Sequence, residues 1–338
     1  MVRLEHPFLP EKEGIWITWE RQRRTDTLAR ELRLKLHRFT PPDQYLWKVL
    51  VLSLMTVATL IRIRPKRLVI QNPSMALAGL VVFLKPLLRY GLVVDRHSNF
   101  KFHTKDDPSL KYRIFHALSR WTVRHADLTI VTNDYLAEII SSWGGRAHVL
   151  QDRLPDMDLA EDTDLEGKHT IVMVSSFSAD EPIAEVLRAA PMLDDGTVLY
   201  MTGNWRRFAS DLERTIPANV RLTGYLSERN FQSLVKSADV VLALTTQDHT
   251  LLCSAYEAVV LHKPLVTSDT SALRSYFRKG VLFTGHSADE LSRTLNRAVV
   301  EREERSKEIE ELALILEAEW RPRFEELVRR IEKLPSTG

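Results

Sequence analysis

The chain has 338 residues, of which 44% are hydrophobic and 27% are charged. This length and composition are typical of a globular protein with two domains, and they exclude a largely disordered chain. The single cysteine, Cys253, excludes an intramolecular disulfide, and without a CxxC pair or a histidine-rich neighbour it does not indicate a structural zinc site. Since the N-terminus has no apolar core of signal-peptide length, we expect a protein of the reducing cytoplasm.

The net charge of +2 conceals an asymmetry between the two halves of the chain. Residues 1–150 hold 24 Lys and Arg against 13 Asp and Glu, and the remaining residues hold 23 against 32. Three clusters carry the basic charge, namely RQRR (21–24), RLKLHR (33–38) and RIRPKR (62–67). They predict a surface that faces phosphates or an acidic membrane leaflet, with a solvated helix face as the alternative for each cluster alone. Nucleic acid is not expected, because aromatic residues do not interleave with the clusters.

In the first half, short apolar runs alternate with amphipathic segments such as RTDTLARELRLKL (24–36), which predicts a parallel sheet covered by helices. The apolar runs 49–61 and 75–84 are shorter than the roughly 18 to 20 residues that span a bilayer, and they predict buried helices. The predicted strands of this half are 14–19, 67–71, 91–95, 128–132 and 147–151.

A polar, acidic segment with no helical or strand period, residues 153–168, predicts a linker. The alternation then restarts, with predicted strands at 170–175, 197–203, 220–224, 239–245, 264–268 and 281–285. The end of the chain predicts two amphipathic helices that meet at Pro322. The predicted α/β organisation is an N-terminal Rossmann-like domain (1–152), the linker, a second Rossmann-like domain (169–303), and C-terminal helices (304–338) that pack back towards the first domain.

Two doubly wound domains place ligands beyond the carboxyl ends of their strands, in the cleft that the tandem arrangement predicts. A helix that begins near Leu251 to Cys253, after the strand DVVLALT, would direct its free N–H groups at a phosphate or diphosphate. Glu257 lies about one turn further into this helix. A carboxylate there is suited to accept hydrogen bonds from the vicinal hydroxyls of a ribose.

The segment SADVVLALTTQDHTLLCSAYEAVVLHKPLVTSD (237–269) resembles the glycosyltransferases of the two-Rossmann-domain (GT-B) type, especially the group-one family of bacterial polysaccharide and lipid-linked oligosaccharide enzymes. In that family an acid, seven residues and a second acid in a small-residue helix follow such a strand. GNW (203–205), 219–242 and 126–156 also look like the family, so the resemblance covers nearly the whole chain. It implies a fold of two Rossmann-like domains and transfer of a sugar from a nucleotide sugar.

By this resemblance Glu257 is the second acid, which holds the ribose, and His249 stands in place of the first. A histidine can hydrogen-bond a sugar hydroxyl but supplies no fixed negative charge. The family often places basic residues after the first strand of the second domain, where this chain has SSFSADEP (175–182). The residues then expected to contact the donor are the loop glycine Gly203, the phosphate-binding Arg206 or Arg207, the helix N-terminus Leu252, Cys253 and Ser254, and Tyr225 and Leu226 at the base.

Catalytic residues are expected in the first domain. GLVVDRHSNF (91–100) ends a strand with Asp95 and His97, and it looks like the Asp-x-His passage of sugar transferases that act on lipid-linked acceptors. His97 would contact the donor sugar or take the proton, and Asp95 would be the base or orient the imidazole; the alternative for Asp95 is a cap of the following turn. Glu20 is a second candidate base. Arg21, Arg23 and Arg24 are candidate contacts of the acceptor, with a charged helix start as the alternative.

These residues together predict a hexosyltransferase that needs neither metal nor cofactor, uses a nucleotide diphosphate sugar as co-substrate, and glycosylates a lipid-linked or polysaccharide acceptor at the cytoplasmic face of an anionic membrane. A catalytically silent relative that acts as a nucleotide-sugar-binding scaffold or partner subunit is the alternative, because the first acid and the basic phosphate residues are missing. An NAD-dependent oxidoreductase is disfavoured, since neither half has GxGxxG after its first strand.

Overall fold

The computed structural model describes residues 10–39, 45–72, 74–97, 100–157, 159–208 and 216–335, apart from the side chains of residues 45, 46 and 207. The chain divides into two compact units. The first comprises the chain up to Arg153 together with the segment from Trp320 onwards, and the second comprises Leu154–Glu319.

The first unit is built on a six-stranded parallel sheet in the order β2-β1-β3-β4-β5-β6. Its inner strands are mostly runs of Val, Ile and Leu buried on both faces, as expected for a sheet covered by helices. The elements in chain order are β1 (Ile15–Thr18), α1 (Arg23–Glu31), β2 (Lys35–Arg38), α2 (Tyr45–Ile63), β3 (Arg67–Gln71), α3 (Met75–Leu88), β4 (Gly91–Asp95), α4 (Leu110–His125), β5 (Leu128–Val131), α5 (Asp134–Ser142) and β6 (Ala147–Val149).

The two faces of this sheet have separate cores. One core joins the sheet to α2 and α3 through side chains such as Leu52, Leu60 and Val81. The other joins it to α1 and to the end of the chain through Leu28, Trp320 and Leu327. Both faces are therefore covered by helices, which is the three-layer arrangement of a Rossmann-like fold.

The edge strand β2 was not predicted from the sequence. The helix predicted over 24–36 ends at Glu31, because Arg33 adopts a left-handed backbone conformation (φ 55°) that a helix cannot continue. Lys35–Arg38 then pairs with β1 as the outermost strand. Its charged residues prevented its prediction as a strand from the sequence. They suit an edge strand because they discourage pairing with a further strand.

The second unit carries a six-stranded parallel sheet in the order β12-β11-β10-β7-β8-β9. Several of its helices begin at a Ser or Thr side chain that accepts a hydrogen bond from the first turn, which fixes where they start. Its elements are β7 (His169–Met173), α6 (Ile183–Ala189), β8 (Thr197–Thr202), β9 (Val220–Gly224), α7 (Glu228–Ser237), β10 (Val240–Ala243), α8 (Cys253–Val260), β11 (Leu265–Ser268), α9 (Ser271–Tyr276), β12 (Val281–Thr284) and α10 (Ala288–Val300).

The chain ends in one long helix, α11 (Arg302–Glu332), and the predicted pair of helices that meet at Pro322 is wrong. Proline removes one backbone hydrogen bond, but side chains on both sides of it are held by packing. Leu316 is buried in the second unit, and Trp320 is buried in the first, where its Nε1 donates to the carbonyl of Gln151 at 3.1 Å. Anchored on each side, the helix continues through the proline.

The strand orders confirm two Rossmann-like domains. They also show the point in each sheet at which the order of the strands reverses, because later strands are added on the other side of the first. In the first unit the order reverses between β1 and β3, and in the second unit it reverses between β7 and β10. Loops that follow the two strands at such a point diverge and leave a crevice at the carboxyl edge, where ligands bind in sheets of this kind. Among the described residues, no helix is both long and apolar enough to cross a membrane.

Candidate functional site

The carboxyl end of β4 in the first unit holds a buried ion pair. Asp95 is fully buried, and both of its carboxylate oxygens accept hydrogen bonds from Nε of Arg24, at 3.0 and 3.1 Å. Arg24 comes from the first turn of α1, and its other nitrogens donate to Asp152 and to the carbonyl of Leu150. One cation thus ties together the end of β4, the start of α1 and the segment that follows β6.

The charges in this cluster stabilise one another despite the burial. Burial would raise the pKa of Asp95, but Arg24 and then His97 outweigh it and hold the pKa below its usual value. Burial likewise opposes the charge of Arg24, whereas Asp95 and Asp152 raise its pKa above the usual value. Asp95 is therefore a buried, ionised carboxylate whose two oxygens are both engaged by Arg24.

His97 lies at the surface of the same cluster. Its Nδ1 is 3.4 Å from Oδ2 of Asp95, and 17% of its side chain is exposed. The distance is that of an ion pair with a poorly aligned hydrogen bond. Asp95 therefore faces one of the two ring nitrogens of His97.

Arg96, between these two residues, points to the opposite face of the sheet, as strand alternation requires. Its guanidinium lies over the ring of Phe100 at 4.4 Å and donates to Oγ of Ser119 at 3.0 Å. Burial lowers its pKa to about 10. The strand end is thus held from both faces, which fixes the direction in which Asp95 and His97 point.

The structure places the candidate acceptor arginines differently from one another. Arg24 is buried and all of its described contacts are internal, so the expectation that it contacts an acceptor is wrong. Arg21 and Arg23 are exposed in the loop and first turn that follow β1, and Glu20 is exposed beside them. This loop is anchored by Trp19, whose Nε1 donates to Oγ1 of Thr56 on α2 at 3.0 Å.

Two amide side chains at the end of β3 were missed by the sequence analysis. Gln71 and Asn72 are each 1% exposed. Gln71 accepts a hydrogen bond from Thr18 of β1 at 2.6 Å, but its Nε2, and both polar atoms of the Asn72 amide, have no hydrogen-bond partner among the described residues. Buried amides without partners are rare, and these lie where the sheet order reverses. The signal in the sequence was the polar pair QN directly after the apolar strand RLVI.

In the second unit, Glu257 lies on α8, the helix that follows β10. The helix begins at Cys253, as the sequence predicted, and Glu257 is only 3% exposed. Leu252 at the N-cap provides no side-chain hydrogen bond to the first turn, Cys253 is exposed and Ser254 is buried. The first turn of α8 therefore keeps backbone N–H groups that Leu252 does not cap, with a buried carboxylate one turn behind them.

His249 is half-buried in the loop between β10 and α8. Burial lowers the pKa of His249 below its usual value, and the carboxylate of Asp248 opposes this only in part. The imidazole is therefore neutral at pH 7, where it can donate one hydrogen bond and accept another.

The loop after β7 wraps around a carboxylate of the chain itself, that of Glu181. Phe177 has a left-handed backbone (φ 56°), and the N–H groups of Ser176 and Phe177 both donate to the carboxylate of Glu181, at 3.0 and 2.9 Å. The hydroxyls of Ser175 and Ser176 donate to the same carboxylate. Successive N–H groups in such a turn form an anion-binding concavity. Here a carboxylate of the chain occupies that concavity, where the family often has phosphate-binding cations.

The loop after β8 requires its glycine. Gly203 has φ of 96°, and a Cβ atom there would lie 2.2 Å from the carbonyl oxygen of Ser175. Its N–H donates to the carbonyl of Gly224 at 3.0 Å, so that the loops after β7, β8 and β9 lie side by side. Tyr225, in the loop after β9, is 92% exposed, whereas the neighbouring Leu226 packs against the core. Arg206 is exposed and stacks on Trp205 at 4.3 Å; the side chain of Arg207 lies outside the described residues.

The parallel sheet brings these residues to one edge in the order α8, loop after β7, loop after β8, loop after β9. Asp180 joins the first two, since it accepts a hydrogen bond from Oγ1 of Thr245 at 2.9 Å and its carbonyl accepts one from Thr246. A separate concave surface at β12 includes none of the predicted donor residues; its charged side chains are Asp269, Arg274, Glu290, Arg293 and Arg297. The described residues hold no group of three or more His, Cys, Asp or Glu side chains placed to bind a metal.

Comparison with known families assigns both units. Residues 158–313 match the model of the family described as glycosyl transferases group 1, and residues 16–151 match the glycosyl transferase 4-like domain. The two matches together span both described sheets. The chain belongs to the group 1 glycosyltransferases and is a transferase of the GT-B type.

Solved structures share the fold over nearly the whole chain at low identity. The structure of HepE from Anabaena in complex with UDP superposes with a TM-score of 0.72 and 12% identity, and the match covers 95% of this chain and 100% of that one. WaaG, a glycosyltransferase involved in lipopolysaccharide biosynthesis, gives 0.66 and 14%, with 95% and 100% covered. Sucrose-phosphate synthase from Thermosynechococcus elongatus gives 0.69 and 12%, with 89% and 83% covered. No curated protein matches the chain by sequence.

The ion pair of Arg24 and Asp95 makes a prediction for stability. Asp95→Asn removes a buried charge from the pair, and we expect the free energy of unfolding to fall by about 3 kcal/mol at pH 7. Because the folded-state pKa of Asp95 is depressed, its stabilisation is present above the unfolded-state value near 3.8 and is lost as the pH falls through the lower folded-state value. The free energies of unfolding of wild type and variant, measured with urea, should become equal as the pH falls through that acidic range.

The control for this variant is Asp26→Asn, on the helix that carries Arg24, which breaks an exposed pair with Arg38 and should cost under about 1 kcal/mol. Equal stability of Asp95→Asn and wild type at pH 7 would contradict the buried pair.

The loop after β7 makes a second prediction. Glu181→Ala leaves the N–H groups of Ser176 and Phe177 without their acceptor, so we expect a loss of about 2 kcal/mol in the free energy of unfolding. Since the variant opens an anion-binding concavity, inorganic phosphate should raise its melting temperature more than that of wild type. The control is Glu185→Ala, whose carboxylate pairs with Arg188 at the surface of α6. Identical phosphate responses of all three proteins would show that Glu181 does not fill an anion site.

Proposed function

We propose that this protein transfers a hexose from a nucleotide diphosphate sugar to a lipid-linked or polysaccharide acceptor at the cytoplasmic face of an anionic membrane. The observation that carries the proposal is the buried Glu257 behind the first turn of α8, in a unit that matches the group 1 glycosyltransferases. HepE, which shares the fold, was crystallised with UDP and with UDP-glucose. The proposed division is donor binding by residues 169–303 and acceptor binding by residues 1–152, with residues 153–168 as the linker.

In the donor site, the carboxylate of Glu257 accepts hydrogen bonds from the ribose hydroxyls, and the N–H groups of Cys253 and Ser254 face the diphosphate. The exposed guanidinium of Arg206 supplies a cation to the same phosphates, together with Arg207. The neutral His249 hydrogen-bonds the transferred sugar. Gly203 allows the backbone to approach the nucleotide, and Tyr225 with the backbone of Leu226 borders the base.

In the acceptor site, His97 contacts the reacting groups and the buried Asp95 positions it. The acceptor oxygen bonds to the anomeric carbon, the bond between that carbon and the phosphate oxygen breaks, and the nucleoside diphosphate leaves with the electron pair. If the reaction inverts the anomer, His97 takes the acceptor proton. If the reaction retains it, the proton passes to the phosphate oxygen that leaves, and His97 contacts the donor sugar. Glu20 is the exposed alternative base.

The remaining contacts of the acceptor are assigned to groups at the edge of the first sheet. The amides of Gln71 and Asn72 offer buried hydrogen-bonding atoms to acceptor hydroxyls, and Arg21 and Arg23 offer exposed charge to a diphosphate carrier. Departure of the nucleoside diphosphate is assisted by the α8 N-terminus and by arginine, so the proposal includes no metal.

A catalytically silent, nucleotide-sugar-binding scaffold is the second candidate. The observation that favours it is Glu181, which fills the turn after β7 with a negative charge near the expected diphosphate. The experiment that separates the candidates measures nucleoside diphosphate release from UDP-, GDP-, dTDP- and CDP-sugars in the presence of a mixed lipid acceptor. Release that depends on the acceptor supports the transferase, whereas binding of a nucleotide sugar without release from any of these donors supports the scaffold.

Substitutions at the two sites should separate binding from turnover. Glu257→Ala should abolish the rise in melting temperature that the cognate nucleotide produces, because the ribose loses its acceptor. His97→Ala should keep this rise and lower the transfer rate by about 10²- to 10⁴-fold, the range of a positioned acid–base group. His103→Ala, an exposed histidine of the same unit, is the control. A full transfer rate in His97→Ala would remove His97 from the proposed site.

Removal of the Asn72 amide should weaken acceptor binding without lowering the stability of the protein. Asn72→Leu replaces a buried amide without described partners by an apolar side chain of similar size, so the free energy of unfolding should stay the same or rise by about 1 kcal/mol. If the amide binds the acceptor, the same variant should raise the acceptor KM while it leaves the nucleotide-induced melting shift unchanged. Loss of stability together with an unchanged acceptor KM would assign Asn72 a structural role.

A further inference from the structure

The helices α2, α3 and α4 cover one face of the first sheet, and α3 packs against both of its neighbours. Gly79 permits the close approach on one side, since a Cβ atom there would lie 3.3 Å from Leu118 of α4. The three helices therefore form one continuous layer. The inner side of this layer belongs to the core of the first unit, and its outer side faces away from the sheet.

The outer side of this layer is apolar along helical stripes. On α2, Trp47, Leu50, Leu54 and Ile61 recur at helical spacing and are all exposed. An ordinary surface helix shows polar residues on this side, because the apolar stripe of such a helix faces the core. In α2 both sides are apolar.

The neighbouring helices continue the same surface. Phe83 and Leu87 of α3 are 73% and 77% exposed, four residues apart, and Leu110 with Ile114 repeats this spacing on α4. More than half of the described large apolar side chains that are exposed lie on these three helices. Contiguous patches of this kind mark a surface that binds a protein or a membrane.

The charge of this layer is of one sign. The sequences of α2, α3 and α4 contain no Asp or Glu. Lys111, Arg113 and Arg120 are exposed on α4, and Arg62 is exposed at the end of α2. A second copy that docked on the same face would bring like charges together, which disfavours self-association.

Several cations of the three basic clusters are buried or paired with carboxylates, whereas Arg62 of the third cluster is exposed at the end of α2 and belongs to this layer. Arg24 is buried, Lys35 pairs with Glu11, Arg38 with Asp26, and Lys66 with Glu13. Positive charge that is already compensated attracts an anionic surface weakly. Apolar stripes flanked by exposed cations, with a Trp among them, are instead the pattern of helices that lie in a membrane interface.

We propose that the outer side of α2, α3 and α4 is the surface by which this protein binds an anionic lipid bilayer, with its apolar side chains inserted at the headgroup level and its arginines and lysine on the lipid phosphates. This inference deepens the proposed function, on which it rests for the membrane-borne acceptor.

The test is sedimentation of the full chain with vesicles of phosphatidylcholine alone and with added phosphatidylglycerol. We expect binding to the anionic vesicles that weakens with salt, and little binding to the neutral ones. The triple variant Leu54→Ser, Phe83→Ser, Leu87→Ser should lose at least tenfold in affinity, since it removes inserted apolar groups. Arg113→Ser and Arg120→Ser should each lose roughly fivefold, the factor that about 1 kcal/mol gives.

The matched control is Val300→Ser, Leu314→Ser, which removes two equally exposed apolar side chains of the second unit and should bind vesicles as wild type does. Vesicle binding unchanged in the triple variant, or equal for neutral and anionic vesicles, would overturn the proposal. So would a dimer of wild type in sedimentation velocity that the triple variant loses, because the face would then bind a second copy. The rise in melting temperature that a nucleotide produces is measured on wild type and on the same variants. If wild type binds vesicles but shows no such rise, the result contradicts the proposed donor site and not the proposed membrane surface.

Discussion

Every strand pair in the two described sheets is parallel, and this constraint decides where chemistry can occur in the protein. Parallel strands bring all of their carboxyl ends to one edge, so residues far apart in sequence become neighbours there. In the second unit, the edge collects α8 and the loops after β7, β8 and β9. In the first unit, it collects the ends of β1, β3 and β4. Glu257, Gly203, Asp95 and His97 are each in the segment that follows a strand or at the strand's last residue.

Charge is compensated differently at the carboxyl edges of the two sheets. In the first unit, a buried cation, Arg24, compensates the buried carboxylate of Asp95, and the neighbouring His97 keeps 17% of its side chain exposed. In the second unit, a backbone concavity suited to an anion is filled by Glu181, so positive charge for a diphosphate must come from the start of α8 and from arginine.

Much of the fold could be predicted from the sequence, because apolar runs of strand length alternate with helical periods. The start of α8 could be predicted as well, because it follows such a strand directly. The ion pair could not, since Arg24 and Asp95 are 71 residues apart and nothing local couples them. The edge strand β2 was hidden by its charges, and the unbroken α11 depends on packing on both sides of Pro322 that no local pattern records. Gln71 and Asn72 could not be predicted as candidate site residues, because only the strand order places them at the point where the order of the strands reverses.

We propose that a nucleotide sugar binds along the carboxyl edge of the second sheet, with its ribose at Glu257. Amide hydrogen exchange of the full chain, with and without the nucleotide that gives the largest melting shift, tests it most directly. Binding there should slow exchange in the first turn of α8 and in the loops after β7, β8 and β9, with no change at the concave surface beside β12. Protection at β12, or no protection at α8 under saturating nucleotide, would contradict it.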